Sequence, residues 1–538
     1  MRRSLGYLAL AAQLASAAVA SAQTYTVLYT FGTAAHDPSL PTFSGTIAQG
    51  RDGNLYSTAP SGGANNLGAV FKFTPAGAVT VLHSFTAAEG SSQSGLTLGT
   101  DGNFYGATTN GGTSGFGTVF KVTPSGVLTI LHSFNGTDGA EPEAPPIQAT
   151  DGNWYGTTVQ GGGSGSIYKM TPAGVVTTLH NFISTDGYQP CDPLVQGTDG
   201  NLYGTTRQGG SSLLGVVFKI TRTGTFTVLF NFDGAHGSQP VSPLIQAADG
   251  NFYGSTQNGG TSDNGVVFKI TPGGKLTVLH QMDAAGDGSI PMAGLVQATD
   301  LNFYGGNASG GSVSAGTLFR MAPSGTYTVV HNHDSSSAAP EVTLLQHTGG
   351  ILFGDTHQGT VTTNCNGCGT LFSLNAGLGP FVSILPPTIA GKVGSTVQIL
   401  GQGFTGTTGV SFNGTPAQFS VKSGTFLTAT VPNGAQTGTV TVTTPGGTLT
   451  SNKSFRVTPQ ITGFSPPSGP VGTQVIITGV SLRGASNVTF GGVKATQFSV
   501  DSDQQVTATV PANAKTGKIQ ITTSGGTAQS ATDFTVTT

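Results

Sequence analysis

Six polar side chains in the loops between repeated segments carry most of the chemistry that this sequence offers. They are five carboxylates and one phenol: Asp138, Glu141, Glu143, Asp186, Tyr188 and Asp287. Carboxylates accept hydrogen bonds from sugar hydroxyls, and a tyrosine ring gives a sugar a face to stack on. Each of the three aspartates precedes a glycine, so capping of a tight turn is the alternative. We expect these residues to contact a glycan or, weakly, a divalent cation.

Catalytic signatures are scarce in the sequence. It contains no nucleophile elbow opening a helix, no phosphate-binding loop and no His-Glu-x-x-His zinc motif. Glu141 and Glu143 lie two residues apart and in principle offer the carboxylate pair of a glycosidase, but two nearby carboxylates in a turn are usually just solvated. We expect no catalytic residues, no metal site and no cofactor. Histidines recurring once per repeat are interpreted as packing residues rather than metal ligands: His83, His132, His180, His280 and His331.

The chain starts with an export-like segment. Arg2 and Arg3 precede a short apolar stretch, and Ala20-Ser21-Ala22 has the small-x-small pattern of a cleavage site. Residues 1–22 are therefore predicted to be a signal peptide, and no later run is long enough to span a membrane. We expect a monomer that is secreted or held at the cell surface. In that oxidising setting Cys365 and Cys368 should form a disulfide, with Cys191 left as a buried thiol.

One unit recurs roughly every 50 residues and positions these loops. Asp-Gly-Asn occurs at Asp52, Asp101, Asp151, Asp199 and Asp249, followed by the variants Asp300-Leu301-Asn302 and Thr348-Gly349-Gly350. Each unit predicts four short strands, here called A to D. Asp-Gly predicts the tight turn between A and B, and Thr-Pro-x-Gly predicts the turn between C and D.

Strand counting predicts closure into a ring. Seven A-B-C sets are matched by seven D strands, but the first D strand, Thr26–Phe31, precedes every A strand. It is free to complete the last unit, next to Leu371–Leu374, which removes the open sheet edges. Residues 23–379 are therefore expected to form a seven-bladed β-propeller. An open β-solenoid is the alternative.

After residue 380 a longer repeat begins. The segment Gly391-Lys392-Val393-Gly394 matches Gly469-Pro470-Val471-Gly472, and Thr428–Pro432 matches Thr507–Pro511. Alternating strands with closely spaced turns predict small β-sandwiches. We expect two Ig-like domains, at residues 380–458 and 459–538, which makes the chain all-β.

The repeated motifs resemble known families. Asp-Gly-Asn-aromatic-Tyr-Gly followed by Gly-Thr-Val-Phe-Lys-x-Thr-Pro, over about residues 24–375, is similar to the GloVer tandem repeat of bacterial "choice-of-anchor" exported proteins. The C-terminal pair resembles IPT/TIG domains, although Ser481-Leu482 stands where Gly-Phe is usual in the second. The resemblance implies an exported or surface protein and brings no known activity.

Charge narrows the choice of partners. Residues 23–379 carry 10 basic and 20 acidic residues, and residues 380–538 carry 8 and 3. An acidic repeat region does not attract nucleic-acid phosphates, and the lysines of the C-terminal part are scattered. We expect a non-catalytic binding or adhesion protein whose partners are glycans or other cell-surface proteins. A propeller-type carbohydrate hydrolase or lyase, or a passive envelope component, are the alternatives.

The leader prediction is testable by the N-terminus of exported material. We expect the mature chain to start at Gln23, because Ala20-Ser21-Ala22 is the small-residue site that follows the apolar run. Edman sequencing or intact mass of secreted protein measures this start. A chain that retains Met1, or protein confined to the cytoplasm, would contradict export.

Overall fold

The computed structural model describes residues 23–40, 46–362, 367–386 and 388–538. The predicted signal peptide, residues 1–22, lies outside the described residues. The described part is all-β, and it contains no helix that is long and apolar enough to cross a membrane.

Seven sheets make up the repeat region, each built from strands A, B, C and D in hydrogen-bonded order. The strands of sheets 1 to 4 are Ala48–Gln49, Leu55–Ala59, Ala69–Phe73, Val79–Ser84; Thr97–Leu98, Phe104–Asn110, Thr118–Val122, Leu128–Ser133; Ile147–Gln148, Trp154–Thr158, Ser166–Met170, Val176–Asn181; and Val195–Gln196, Leu202–Thr206, Val216–Ile220, Phe226–Asn231. Those of sheets 5 to 7 are Ile245–Gln246, Phe252–Thr256, Val266–Ile270, Leu276–Gln281; Val296–Gln297, Phe303–Asn307, Thr317–Met321, Tyr327–Asn332; and Leu345–Gln346, Leu352–Thr356, Thr370–Asn375, Thr24–Thr30. Further short strands are Ser91–Gln93, which extends sheet 2, and the pairs Pro38–Ser39 with Ser61–Gly62 and Ser337–Ala338 with Gln358–Gly359.

The N-terminal strand completes sheet 7. Thr24–Thr30 runs antiparallel to Thr370–Asn375, with Thr24 opposite Asn375. This is the pairing that the strand count predicts, with the strand starting two residues earlier than expected. Phe31, which follows it, is fully buried and packs with Phe71 of sheet 1 and Phe353 of sheet 7. Sheets 7 and 1 therefore share a core.

Glutamine side chains connect neighbouring sheets. The Oε1 atom of a strand-A glutamine accepts a hydrogen bond from a backbone N–H in the A–B turn of the preceding sheet. These bonds join Gln148 to Thr100, Gln196 to Thr150, Gln246 to Thr198, Gln297 to Ala248, Gln346 to Thr299 and Gln49 to Thr348, at 2.8–3.0 Å. Sheet 2 has Leu98 at this position, and there the Arg51 guanidinium of sheet 1 donates to the Thr100 carbonyl. Every junction between successive sheets, including sheet 7 to sheet 1, thus has a polar link.

The Asp-Gly-Asn motif forms a small hydrogen-bonded cluster at the start of strand B. In sheet 5 the Asp249 carboxylate accepts from the Asn251 backbone N–H at 3.0 Å and from the Tyr253 hydroxyl at 2.8 Å. Gly250 takes a φ of 80°, which favours glycine. The same aspartate-to-tyrosine bond recurs in sheets 1 to 4 and 6. The motif therefore fixes the turn and the strand that follows it.

The seventh copy of the Asp-Gly-Asn motif lies one residue later than the predicted Thr348-Gly349-Gly350. Strand register places Phe353 where sheet 6 has Tyr304, since each pairs with the first residue of its strand A. Gly349, not Thr348, thus stands at the aspartate position. The Thr348 backbone N–H instead donates to the Gln49 side chain, the bond that joins sheet 7 to sheet 1.

Two units of facing sheets follow the repeats. In residues 380–458 the sheets are Ser383–Ile384, Thr396–Leu400, Phe426–Thr430, Phe419–Val421 and Thr415–Pro416, Gly409–Phe412, Val440–Thr444, Gly447–Thr450, with the pair Ala390–Gly391 and Arg456–Val457. In residues 459–538 they are Gln460–Ser465, Gln474–Val480, Gln505–Thr509, Phe498–Val500 and Ser468–Gly469, Gly526–Val536, Gly517–Thr523, Asn487–Phe490, Val493–Lys494. Each unit has its own buried core, and the four main strands of each sheet follow the same order in both.

The first unit, residues 380–458, docks on the A–B turns of the repeat region. Gln398 accepts from Arg51 at 2.8 Å, and the Thr425 hydroxyl donates to the Arg51 carbonyl at 2.6 Å. Gln402 donates to the Thr348 hydroxyl at 2.9 Å. The Arg51 guanidinium also lies 4.5 Å from the centre of the Phe426 ring, a cation–π contact. The unit therefore contacts the A–B turns of sheets 1 and 7, at Arg51 and Thr348.

Loss of the N-terminal strand should destabilise the repeat region. Deleting residues 23–30 bares the Thr370–Asn375 edge and opens the core around Phe31. We expect a melting temperature at least about 10 °C lower, and aggregation, by differential scanning calorimetry and light scattering. Thr26→Ala, at an exposed position of the same strand, is the control and should shift it by about 1 °C. An unchanged melting temperature after the deletion would contradict the pairing.

Two tyrosine-to-phenylalanine substitutions compare the stability contributed by a hydrogen-bonded hydroxyl with that of a hydroxyl that has no partner. Tyr253→Phe removes the bond to Asp249 and should lower the melting temperature by about 2 °C, since a buried bond contributes about 1 kcal/mol. Tyr168 is fully buried, and its hydroxyl has no hydrogen-bond partner among the described residues. Tyr168→Phe, which restores the phenylalanine of the other strand C segments, should be neutral or stabilising. Equal losses in both variants would show that the Asp249 bond contributes nothing.

Candidate functional site

The three predicted aspartates have partners inside the protein. Each carboxylate contacts the Nε2 atom of the histidine on the preceding strand D: His132 with Asp138 at 2.9 Å, His180 with Asp186 at 3.2 Å and His280 with Asp287 at 2.7 Å. Each aspartate also accepts a backbone N–H at the start of its loop. Their positions are those of turn-capping residues, and each keeps about a quarter of its side chain exposed to solvent.

The recurring histidines have two contacts. His180 stacks on Phe226 and His280 on Tyr327, with ring centres 3.9 and 4.0 Å apart, so packing against the next sheet is present. The carboxylate contact was not foreseen in the sequence. The same contact joins His83 to Glu89. Burial raises the pKa of the Glu89 carboxyl, but hydrogen bonds from His83 and Thr86 lower it by more, so that the pKa lies below its usual value. A histidine and an acid six or seven residues later were the available signal.

Loops that follow strand D are tied to the end of strand B. The backbone of Ala140 pairs with that of Gln160, and the backbone of Tyr188 pairs with that of Gln208. Glu141 adopts a φ of 56°, and its carboxylate accepts from the Gln160 side chain at 2.9 Å. The Tyr188 side chain is half-buried. Glu141 and Tyr188 are therefore held on well-defined loops next to strand-B ends.

Glu143 differs from the other predicted site residues. Burial raises the pKa of its carboxyl, the Glu141 charge adds to this, and the Arg207 guanidinium opposes it. Among the described residues, neither Glu143 nor Arg207 forms an ion pair within 4.0 Å. Two opposite charges thus share one region without a direct salt bridge.

Asp192 lies in the same region and was missed in the sequence. It is 3% exposed, and one carboxylate oxygen accepts from the Thr205 hydroxyl at 3.2 Å. The other oxygen, Oδ1, is buried with no partner among the described residues. Burial, together with the Glu143 charge, raises the pKa of Asp192 to about 7. The signal was an acid at a repeat position that Ala144 and Ser242 occupy elsewhere.

Of the two cysteine predictions, the structure tests the one for Cys191. Cys191 is a free thiol, 3% exposed, as expected, and burial raises its pKa. Cys365 lies outside the described residues, so its pairing with Cys368 stays a prediction.

Comparison with protein families finds two matches. The Gloeobacter/Verrucomicrobia repeat matches residues 17–164, 125–305 and 194–415, and the IPT/TIG domain matches residues 459–536. No curated protein sequence matches the chain.

Solved structures are only distantly similar. A fungal alcohol oxidase of the AA5 family, in complex with copper, is 15% identical with a TM-score of 0.45, over 80% of this chain and 100% of the oxidase. A surface glycan-binding protein from Prevotella bryantii is 15% identical with a TM-score of 0.23, over 29% of this chain and 41% of that protein. A surface glycan-binding protein from a xyloglucan utilisation locus of Bacteroides uniformis is 22% identical with a TM-score of 0.15, over 29% and 48%. At these scores the similarities carry no argument about activity.

The repeat matches cover well over half of the sequence, and they coincide with the seven four-stranded sheets. The chain belongs to the Gloeobacter/Verrucomicrobia repeat family, and its residues 459–536 are an IPT/TIG domain.

Proposed function

We propose that this chain is an exported or cell-surface, non-catalytic protein that binds glycans. The observation that carries the proposal is the position of the docked unit. Its hydrogen bonds to Arg51, Thr100 and Thr348 lie at the A–B turns. The predicted ligand loops lie at the opposite end of strand A, because they precede it. The ligand loops are thereby presented away from the C-terminal units.

The repeat region is, in this proposal, a closed seven-bladed propeller over residues 23–379. Three observations support closure: seven sheets of one strand order, completion of sheet 7 by Thr24–Thr30, and polar links at all junctions. Residues 380–458 are proposed as a second TIG-like domain, since their two sheets repeat the strand order of residues 459–538. The pair then acts as a spacer or partner surface.

Weak single contacts are compatible with this role. The loop carboxylates are few and mostly paired inside the protein, so each site should bind modestly and with little dependence on salt. Many copies on one surface raise the effective affinity through avidity. Adhesion therefore does not require a tight site.

A glycan array with the purified mature protein tests the proposal. We expect saturable binding to at least one glycan, with the bound sugar recovered intact by mass spectrometry. Cleavage of the bound glycan would instead establish the hydrolase or lyase alternative. Absence of binding to every glycan would leave the passive envelope role and contradict the proposal. A protein lacking residues 380–538 should bind equally well, because its ligand loops lie at the other end of the sheets.

A further inference from the structure

Unpaired polar atoms gather where sheets 3, 4 and 5 meet, on the side of the ligand loops. Arg207 and Gln257 occupy equivalent positions directly after strand B of sheets 4 and 5, four residues after the repeated tyrosine. The Arg207 Nε atom and the Gln257 Oε1 atom are buried with no hydrogen-bond partner among the described residues, as is Asp192 Oδ1. One donor and two acceptors thus lack partners in neighbouring repeats.

Buried polar groups without partners are costly, and native proteins satisfy them with ligands or ordered water. Asp192 is the strongest case, because it is 3% exposed and only its Oδ2 atom is bonded. Its carboxyl lies close enough to Glu143 and Arg207 for both charges to act on its pKa. Asp192 is also bonded to Thr205, two residues before Arg207, so the three charged groups lie in one region.

A small cluster of apolar side chains lies next to these groups. Val159 of sheet 3 packs with Cys191 and Val241, which precede strand A of sheets 4 and 5, and Met292 lies partly exposed against them. The two valine side chains offer no hydrogen bonds there, and the Cys191 thiol donates a long one to the Asp192 Oδ2 atom, at 4.0 Å. A ligand there meets polar groups beside an aliphatic surface, a combination that suits the hydroxyl and C–H sides of a sugar ring.

The charges favour an uncharged ligand. Glu143 and Arg207 balance one another, and the raised pKa of Asp192, about 7, leaves that carboxyl largely neutral at slightly acid pH. The groups of three or more His, Cys, Asp or Glu side chains that a metal ion needs do not occur in the described ranges. The site also needs a partner that both donates and accepts, which a hydroxyl does and a simple ion does not.

We propose that Glu143, Asp192 and Arg207 form a subsite for a neutral saccharide, with Glu143 and Asp192 accepting hydrogen bonds from sugar hydroxyls and Arg207 donating to them. The proposal rests on the glycan-binding function above and names its site and ligand class. It places the ligand at the junction of sheets 3 to 5, away from the aspartates that pair with histidines.

Single substitutions in the full mature chain test this subsite. The probes are soluble neutral polysaccharides, namely β-glucan, xyloglucan, xylan, galactan and mannan, with polygalacturonate as the anionic comparison, measured by isothermal titration calorimetry. We expect Glu143→Gln and Arg207→Gln each to weaken binding of a neutral polysaccharide at least tenfold. Glu341→Gln is the matched control, since Glu341 holds the position of Glu143 in sheet 7 and lies 4.0 Å from His357. It should leave the affinity unchanged within twofold.

The outcomes separate the subsite from the broader function. If the wild-type protein binds a neutral polysaccharide and both variants bind equally well, the subsite is wrong and glycan binding stands; water then satisfies the unpaired atoms. Binding to polygalacturonate alone would overturn the neutral ligand class. Binding to an array glycan but to none of the neutral polysaccharides would overturn the subsite alone, and binding to no glycan on the array would overturn subsite and function together. Melting temperatures within about 2 °C of wild type identify variants that are folded, and Asp192→Asn replaces any that is not.

Discussion

A strand-A glutamine in one sheet holds the turn of the preceding sheet, and this bond is the constraint on which the repeat region depends. A four-stranded sheet of this size has two faces to bury and no room for a core of its own. Stacking the sheets buries both faces, but apolar packing alone does not fix their relative height. The glutamine bonds do, because each joins a side chain at a fixed repeat position to one backbone N–H. At the six junctions with this glutamine, the A–B turn of one sheet is thereby fixed relative to strand A of the next.

Much of this arrangement could be predicted from the sequence. The Asp-Gly turn, the four strands and the use of the N-terminal strand in the last sheet all follow from local patterns and from counting. The glutamine links could also have been found, since glutamine recurs three residues before the aspartate in most repeats. What spacing could not show is which polar atoms remain unpaired. That depends on how Arg207 and Asp192, from different strands, come together in space.

Residues that depart from the repeat consensus have contacts that the consensus residues do not have. Leu98 replaces the glutamine of sheet 2 and joins a core that includes Leu400 and Phe426 of the first C-terminal unit. Arg51, in place of a small residue, both links sheet 1 to sheet 2 and binds Gln398 of that unit. Departures from the consensus at one end of the sheets thus serve docking. Departures at the other end, among them Asp192 and Arg207, leave buried polar atoms without partners, as the Arg51 Nε atom also does at the docking end.

The pairing of Thr24 with Asn375 has a topological consequence. In the other six sheets a Thr-Pro-x-Gly or related turn joins strand C to strand D, and in sheet 7 this turn is absent because strand D is the N-terminal strand Thr24–Thr30. In the closed propeller that we propose, the order of strands is therefore cyclic, with one cut. Joining residue 375 to residue 24 by a short turn and opening the chain at any other C–D turn would give a circular permutant with the same seven sheets. The natural cut lies in sheet 7, whose A–B turn the first unit contacts through Thr348, so the chain leaves this sheet beside the surface on which that unit docks.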